Sequence, residues 1–326
     1  MPGVDVLARL SDSERELVTP APPPRAAGAM KAVLTDERFS DPHWIFERKL
    51  DGIRCIAIRS GDDLEMLSRN DLRQNERYPE LVEALGAERT KRFAVDGEVV
   101  AFEGSQTSFA RLAQRHQHYV PVFLYVFDVV WLEGHDVRRL PLRTRKRLLR
   151  AALEFHGNVR WTQYRNGDGE ALFREACRMG WEGLIAKRAE SPYVTTRSKD
   201  WLKFKCEHGQ ELVIGGYTEP RGSRVEFGAL LLGYFRDGRF EYAGKVGTGF
   251  DTETLHDLGA QLRDLKRSDP AFANPSTIKE RHVTWVEPKL VGQIGFTEWT
   301  RDGRLRHPRF LGLRDDKAAG DVVREG

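Results

Sequence analysis

The sequence predicts an α+β fold made of two domains. Its 326 residues are enough for two domains of ordinary size. Up to about residue 208, strand patterns alternate with amphipathic helix patterns, whereas the later strands are short and separated by turn residues. We therefore expect a first domain over residues 30–208 and a second over residues 209–326, preceded by an extension over residues 1–29.

The extension carries few structural signals. Residues 11–18 have the pattern of a short helix, and prolines then occupy four of the positions 20–24. Proline excludes a regular helix there and favours an extended, polyproline-like connector. We expect this extension to pack loosely or not at all, with the globular part beginning near Met30.

Composition excludes several classes of protein. Hydrophobic residues make up 40% of the chain and charged residues 31%, without any run near the ~20 apolar residues of a membrane span and without an apolar signal core. The net charge of +3 means that polyanion binding must come from local patches. Cys55, Cys177 and Cys206 have no metal-ligand spacing and cannot all pair as disulfides, which favours a reducing cytosol.

The stretch Trp44–Arg59, W-I-F-E-R-K-L-D-G-I-R-C-I-A-I-R, combines apolar strand patterns with charge. It predicts a strand, a tight turn at Asp51-Gly52 and a second strand. In an extended strand Glu47, Lys49 and Asp51 point to one face, which holds the lysine between two carboxylates. Such a lysine belongs either to a structural ion-pair cluster or to a site where it has a chemical task.

A second charged cluster lies in F-A-V-D-G-E-V-V-A-F, residues 93–102. Asp96 and Glu98 stand two positions apart among valines, so they share one face of a strand. Acids in apolar surroundings cost free energy unless they are paired or bind a metal. Either both acids sit in water at a hairpin turn, or Glu98 supplies a hard oxygen ligand for Mg²⁺ or Mn²⁺.

Two basic segments follow. Residues 140–155 predict an amphipathic helix whose arginines could contact DNA phosphates, although we favour a basic face in solvent. In W-L-K-F-K-C, residues 201–206, Lys203 and Lys205 point to the face opposite Leu202 and Phe204. Two ammonium groups on one face predict an anion between them, whereas lysines can also protect an exposed edge strand.

The second domain has the pattern of a small barrel. Asp237-Gly238 and Asp302-Gly303 are strong hairpin signals, residues 252–266 predict one helix, and residues 301–317 form a local basic patch. About five short strands with one helix fit an OB-fold, which commonly binds nucleic acid. The predicted strands include residues 212–217, 229–235, 239–245 and 283–287.

The segment Lys49–Arg54, K-L-D-G-I-R, resembles the first motif of the covalent nucleotidyltransferases, which include ATP-dependent DNA ligases, RNA ligases and mRNA capping enzymes. Further motifs follow in the same order, although Asp71 stands where the family usually has glycine. The strings at 216–233 and 298–310 resemble the ligase domain of bacterial ligase D and its stand-alone relatives. The further motifs are S-R-N at 68–70, V-D-G-E-V-V at 95–100, F-D at 127–128, E-G-L-I at 182–185, K-F-K at 203–205 and R-D-D-K at 314–317.

This resemblance implies a role for each motif. Lys49 would attack the α-phosphate of ATP and carry AMP as a phosphoramidate, while Glu98 and Glu182 would bind the divalent metal, Mg or Mn. Glu47 would accept a hydrogen bond from the adenine amino group, and Phe127 would stack on the base instead of serving as an ordinary core aromatic. The implied nucleotide contacts are Glu47, Leu50, Arg54, Arg69 (otherwise a solvated turn arginine), Glu98, Phe127, Lys203 and Lys205, and Arg314, Asp316 and Lys317 would close over the triphosphate.

The resemblance also implies a function and a fold. An adenylation domain of antiparallel sheets flanked by helices would precede the OB-fold barrel. The protein would be an ATP-dependent DNA ligase that seals nicks or breaks in double-stranded DNA during end-joining repair, with a DNA-end-binding protein as a candidate partner. We expect a free-standing monomer in the bacterial cytosol, without membrane contact. The alternatives are an RNA ligase or RNA-capping nucleotidyltransferase and, less favoured, a non-catalytic nucleic-acid-binding protein.

Overall fold

The computed structural model describes residues 6–25, 28–116, 118–206, 208–220, 222 and 224–325, and the side chains of all these except His116 and His208. The chain divides into two compact units after Cys206, close to the predicted boundary. Each unit has a hydrophobic core of its own. In the described part of the chain, no helix has both the length and the apolar character needed to cross a membrane.

The first unit combines strands and short helices. Its helices are α1 Asp12–Arg15, α2 Pro79–Ala87, α3 Phe109–Ala113, α4 Leu142–Ala152 and α5 Gly169–Arg178. Its strands are β1 Thr19–Pro20, β2 Lys31–Leu34, β3 Trp44–Lys49, β4 Ile53–Ser60, β5 Asp63–Ser68, β6 Arg92–Glu103, β7 Gln106–Thr107, β8 Val122–Leu132, β9 His135–Asp136, β10 Val159–Trp161, β11 Tyr164–Asn166, β12 Gly183–Arg188 and β13 Arg197–Lys205.

These strands form two mainly antiparallel sheets. The first has the order β1-β9-β8-β6-β4-β5, with β10 parallel to β8, and its apolar face packs against α2, α3 and α4. The second has the order β11-β3-β12-β13-β2, with β2 parallel to β13. Helix α5 covers the apolar face of this second sheet, where Phe46, Leu184 and Phe204 are fully buried. The predicted antiparallel sheets with flanking helices are therefore confirmed.

The strands on either side of Asp51-Gly52 do not pair with each other. Strand β3 belongs to the second sheet and β4 to the first, so the predicted tight hairpin is wrong. Gly52 is needed there because a Cβ atom would lie 2.1 Å from the main-chain oxygen of Val99 on β6. The glycine thus permits a close crossing between two sheets, and Lys49 ends one strand immediately before that crossing.

The N-terminal extension packs onto the first unit, contrary to our expectation. Val6 and Leu10 are 3% and 4% exposed within its main core. Ser11 caps α1 through a capping box, which satisfies backbone donors at the helix start. The main-chain oxygen of Ala21 accepts a 2.8 Å hydrogen bond from the Trp131 indole, so the proline-rich connector is also held.

The cysteines also depart from the expectation of a reduced set. Cys177 near the end of α5 and Cys206 directly after β13 form a disulfide, with their Cα atoms 5.3 Å apart. Cys55 is free and buried. The pair meets because α5 lies across the second sheet, a contact between positions 29 residues apart that cysteine spacing does not reveal.

The second unit matches the predicted OB-fold. Strand β14 pairs with β15, β18 and β19, and β19 also pairs with β22. Asp237 and Gly238 have positive φ angles of 52° and 74° in the turn between β15 and β16, which confirms that hairpin. The elements are β14 His208–Thr218, β15 Leu230–Arg236, β16 Arg239–Val246, α6 Thr252–Asp264, β17 Lys266–Arg267, β18 Val283–Val286, β19 Val291–Phe296, β20 Glu298–Trp299, β21 Leu305–Arg306 and β22 Arg309–Leu313.

Candidate active site

The face of the second sheet opposite α5 gathers the charged residues of three strands. Lys49 on β3 is in register with Gly183 on β12, which is in register with Lys205 on β13. Glu47 and Lys203 are aligned in the same way through Ile185. Residues directly opposite on neighbouring strands share a face, so both lysines of the K-x-K segment lie on the same face as Lys49.

Lys49 is surrounded by carboxylates. Its ammonium forms an ion pair with Glu182, which lies directly before β12, and both side chains are mostly buried. Burial lowers the pKa of Lys49, but attraction by Glu182, Asp51 and Glu98 outweighs burial and raises the pKa above its usual value. The carboxylate partner of Lys49 is therefore Glu182, and not Glu47 as the strand pattern predicted.

Main-chain hydrogen bonds hold Asp51 and the backbone of Glu182 on either side of Lys49. The carboxylate of Asp51 accepts a 3.0 Å hydrogen bond from the main-chain N–H of Phe109, at the start of α3. Leu50 is half-buried between the two strands. The main chain at Glu182 is fixed by a hydrogen bond, since its carbonyl oxygen accepts a 3.0 Å bond from the N–H of Cys206.

Arg54, which is half-buried, forms an ion pair with the fully buried Asp96. The Nε and Nη2 atoms of Arg54 each donate to one oxygen of Asp96, and Tyr193 donates to the same carboxylate at 2.7 Å. Strand β6 runs unbroken through Asp96 and Glu98, so the alternative of a hairpin turn in water is wrong. Asp96 is thus a structural anchor for Arg54 on neighbouring β4.

Glu98 is opposite Arg54 across β4 and β6 and is half-buried. Its charge contributes to the raised pKa of Lys49, which brings it into the same electrostatic site as Glu182. The described residues contain no cluster of three or more acids, histidines or cysteines able to enclose a metal. Two carboxylates nevertheless fit Mg²⁺, which keeps several waters and takes further oxygen ligands from substrate phosphates.

Glu47 pairs with two lysines. It is 2% exposed, and its two oxygens contact the ammonium groups of Lys146 on α4 and Lys187 on β12, the latter at 2.7 Å. Burial and repulsion from Lys146 lower the pKa of Lys187, whereas attraction by Glu47 and Asp128 raises it. The lowering effects are larger, and the pKa falls to about 8. Both carboxylate oxygens of Glu47 therefore lie against ammonium groups, and carboxylate oxygens can accept further hydrogen bonds.

Phe127 lies on β8 beside this charge cluster. Its ring centroid is 4.2 Å from the Lys187 ammonium and 4.6 Å from the Arg54 guanidinium, and the side chain is 7% exposed. Trp201 meets Phe127 edge-on and also lies 3.9 Å from the Lys187 ammonium. The aromatic ring therefore belongs to the core and also contacts two cations of the site.

The loop that carries Arg69 is built around Ser68. The Ser68 hydroxyl accepts bonds from the main-chain N–H groups of Asn70 and Leu72, and Arg69 is half-buried between them. Asp71 has a φ of 61°, the left-handed conformation that a glycine adopts at no steric cost. Aspartate thus takes up a left-handed backbone conformation at the position where the resemblance leads us to expect glycine.

The last motif forms an internal network in the second unit. Arg314 donates two 2.8 Å bonds to Asp316, and Lys317 pairs with Glu211 at 2.7 Å. Burial raises the pKa of Asp316, but Arg314 outweighs it and lowers the pKa below the usual value. These charges are thus neutralised within their own unit.

Sequence reasoning missed the buried cations of α4. Arg145 and Lys146 are 0% and 1% exposed, so the predicted solvated face does not include them. Arg145 donates two bonds to buried Asp128, at 2.8 and 2.9 Å. The sequence does contain a signal for this burial. Arg145 and Lys146 stand three and four positions after Leu142, respectively, and therefore lie on the apolar stripe of the helix.

The sequence matches two family profiles that together cover most of the chain. The profile described as "ATP dependent DNA ligase domain" matches residues 24–205. The profile described as "ATP dependent DNA ligase C terminal region" matches residues 223–317.

Individual proteins give the same picture. The chain is 37% identical over 86% of its length to the multifunctional non-homologous end joining protein LigD of Pseudomonas aeruginosa, and it covers 35% of that protein. It is 32% identical over 85% of its length to a probable DNA ligase of Dictyoglomus turgidum, of which it covers 54%. The chain thus spans about a third to a half of the length of these curated relatives.

One solved structure is similar throughout. A mycobacterial DNA ligase D complexed with ATP and MES superposes with a TM-score of 0.65 at 31% identity, covering 91% of this chain and 98% of that one. The same fold therefore accompanies the sequence similarity across both units. Together with the profile matches and the arrangement around Lys49, this similarity shows that the chain belongs to the ATP-dependent DNA ligases.

Proposed function

We propose that this chain joins a 5′-phosphate to a 3′-hydroxyl in double-stranded DNA by way of AMP bound to Lys49. The observation that carries the proposal is the shared sheet face, on which Lys49 stands beside Glu182 together with both lysines of the K-x-K segment. An amine beside carboxylates and further ammonium groups suits a reaction in which phosphates enter and leave.

Lys49 would act as the nucleophile. Its neutral amine attacks the α-phosphorus of ATP, a P–N bond forms, the P–O bond to the β-phosphate breaks, and pyrophosphate leaves. The raised pKa means that the amine holds a proton at rest, so this proton must be lost before attack. Lys203 and Lys205 would hold the phosphates, and their positive charge favours the neutral amine.

Glu98 and Glu182 would hold a divalent metal, Mg or Mn, which would neutralise charge on the phosphoryl group when bound. Arg54 and Arg69 would contact the nucleotide, and Asp51 would keep the Lys49 loop in place. Glu47 would accept from the adenine amino group, with Phe127 and Leu50 lining the base. Arg314, Asp316 and Lys317 would act on the triphosphate from the second unit.

The later steps use DNA. AMP moves from Lys49 to a 5′-phosphate, which restores the amine, and the 3′-hydroxyl then attacks that phosphate and expels AMP. The names of the relatives support a role in end joining. We extend the proposal accordingly to broken duplex ends, a DNA-end-binding partner, a monomer and a cytoplasmic location.

The test is a labelling experiment. The protein is incubated with α-labelled ATP and Mg²⁺ or Mn²⁺, denatured and separated on a gel. We expect a covalent label in the wild type and in Lys31→Ala, which alters an exposed lysine, and complete loss of label in Lys49→Ala.

Nicked substrates then separate the rivals. Addition of nicked duplex DNA should discharge the label and yield sealed product. Discharge by nicked RNA but not by DNA favours an RNA ligase, and labelling by GTP favours a capping enzyme. A wild-type protein that takes no label from either nucleotide overturns the proposal.

A further inference from the structure

Helix α4 places a lysine between the two sheets of the first unit. Lys146 is 1% exposed, although most basic residues of this helix face solvent. A buried ammonium costs free energy unless charge and hydrogen bonds compensate it. Its contacts therefore indicate what the residue stabilises.

Lys146 binds one element from each sheet. Its ammonium forms an ion pair with Glu47 on β3 and donates a 3.0 Å hydrogen bond to the main-chain oxygen of Phe127 on β8. The same group lies 5.0 Å from the ring centroids of Trp161 and Tyr164. A single cation thus fixes the distance between the Glu47 carboxylate and the Phe127 backbone.

Lys187 completes the arrangement from a third strand. It contacts the other oxygen of Glu47 at 2.7 Å and lies against the Phe127 ring. Each oxygen of Glu47 therefore has its own ammonium partner, which limits rotation of the carboxylate. Lys146 differs from Lys187 because it also holds the Phe127 main chain.

We propose that Lys146 is a positioning residue for recognition of the adenine base, acting through Glu47 and Phe127. This inference rests on the proposed function, in which Glu47 accepts from the 6-amino group and Phe127 stacks on the ring. The carboxylate oxygens of Glu47, each against an ammonium group, can accept a hydrogen bond from an amino group at position 6, which a base without that group cannot donate. Discrimination of this kind depends on the carboxylate being held in place.

The experiment compares ATP with purine riboside triphosphate, which lacks the 6-amino group. Formation of labelled Lys49 is measured with each nucleotide for the wild type and for Lys146→Met, which keeps the side-chain length without the charge. We expect the preference for ATP to fall about ten- to hundredfold, the effect of one hydrogen bond to a charged group. The loss should appear in KM for ATP, with the maximal single-turnover rate changed much less.

Matched variants separate positioning from general stability. Arg147→Met removes a charge from the exposed side of the same helix and should keep the wild-type preference. Lys146→Arg retains the charge and should restore part of the preference. Glu47→Gln and Lys146→Met should be non-additive in the double variant, because both act on one contact.

The outcomes are distinguishable. A folded Lys146→Met variant with the wild-type preference overturns the inference, even if its melting temperature falls. Should that variant fail to fold, Lys146→Gln carries the same comparison, since it can donate to the Phe127 oxygen without charge. A wild-type protein that takes no label contradicts the proposed function itself. One that labels equally with both nucleotides contradicts this inference and the adenine contact of Glu47, but not ligation through Lys49.

Discussion

At the residue scale, the first unit pairs each of several buried acids with cations from other elements. Asp128 on β8 is completely buried and receives two hydrogen bonds from Arg145, which is itself completely buried. The sequence pattern identifies such acidic residues in apolar strands, but it does not identify their cationic partners. Partners from distant segments depend on how the sheets and α4 pack, which local patterns do not encode.

Removal of Arg145 should strongly destabilise the first unit. Arg145→Met leaves Asp128 without its main partner, and we expect a loss of about 3–5 kcal/mol in unfolding free energy. The double variant Arg145→Met/Asp128→Leu should recover much of this, because no unpaired carboxylate remains. Urea unfolding measures both, with the exposed Arg147→Met as the control. Equal losses in the single and double variants would contradict the pairing argument.

The same pair predicts a dependence on pH. Burial raises the pKa of Asp128, but Arg145, with Lys187 and Lys146, outweighs burial and lowers the pKa below its usual value. A carboxyl with a lowered folded pKa contributes its full stability above its unfolded pKa and loses it as the pH falls through the folded value. The advantage of the wild type over Asp128→Asn should therefore be constant above about pH 5 and shrink below about pH 4. An advantage that grows on acidification would refute this assignment.

Asp71 offers a second test at this scale. Its φ of 61° strains an aspartate, whereas glycine reaches this region without steric cost. We expect Asp71→Gly to leave the unfolding free energy unchanged or to raise it by up to about 1 kcal/mol, and Asp71→Val to lower it by about 1–2 kcal/mol. Thermal unfolding of the two variants measures these changes. A Val variant as stable as the wild type would exclude a left-handed backbone conformation at position 71.

At the element scale, the sequence predicts where strands and helices lie along the chain, but not which elements pack against each other in space. The patterns over residues 239–245 and 252–266 predict a strand and a helix close to the observed Arg239–Val246 and Thr252–Asp264. The Asp51-Gly52 segment was misread, because a turn signal and a tight crossing between sheets both require glycine. The extension was misread because four prolines suggested a loose connector, while Leu10 is buried by contacts from outside the segment.

The disulfide between α5 and β13 should stabilise the oxidised first unit. It closes a loop with a sequence separation of 29, for which chain entropy gives about 3–4 kcal/mol. Reductant should therefore lower the melting temperature of the wild type and leave Cys177→Ser/Cys206→Ser unaffected. Thiol titration of the denatured, unreduced protein should find Cys55 and no other thiol. A wild-type melting temperature that does not change on addition of reductant would contradict the expected contribution of the disulfide.

At the scale of the whole molecule, two units with separate cores carry the parts of one proposed reaction. Lys49, the two glutamates proposed to hold a metal and the K-x-K segment lie in the unit that ends at Cys206, and the last motif lies in the other. The change to short strands separated by turn residues after about residue 208 predicts a division at this point of the sequence. It could not predict that Arg314 and Asp316 satisfy each other within their own unit, since that pairing depends on the path of the chain after β22.

Separate cores predict that the units respond separately to substitution and to nucleotide. Leu10→Ala opens a cavity in the first core and should lower that unit's unfolding free energy by about 2–5 kcal/mol, whereas Leu258→Ala should act on the second. ATP at a hundredfold excess over its Kd should stabilise the first unit by about 2.7 kcal/mol, because ligand binds the folded state. Calorimetry is carried out in the Lys49→Ala background, which prevents covalent attachment of AMP, and should show two unfolding transitions. ATP and Leu10→Ala should shift the midpoint of one transition, and Leu258→Ala should shift the midpoint of the other. A single transition that every change shifts equally would mean that the two cores unfold as one cooperative unit.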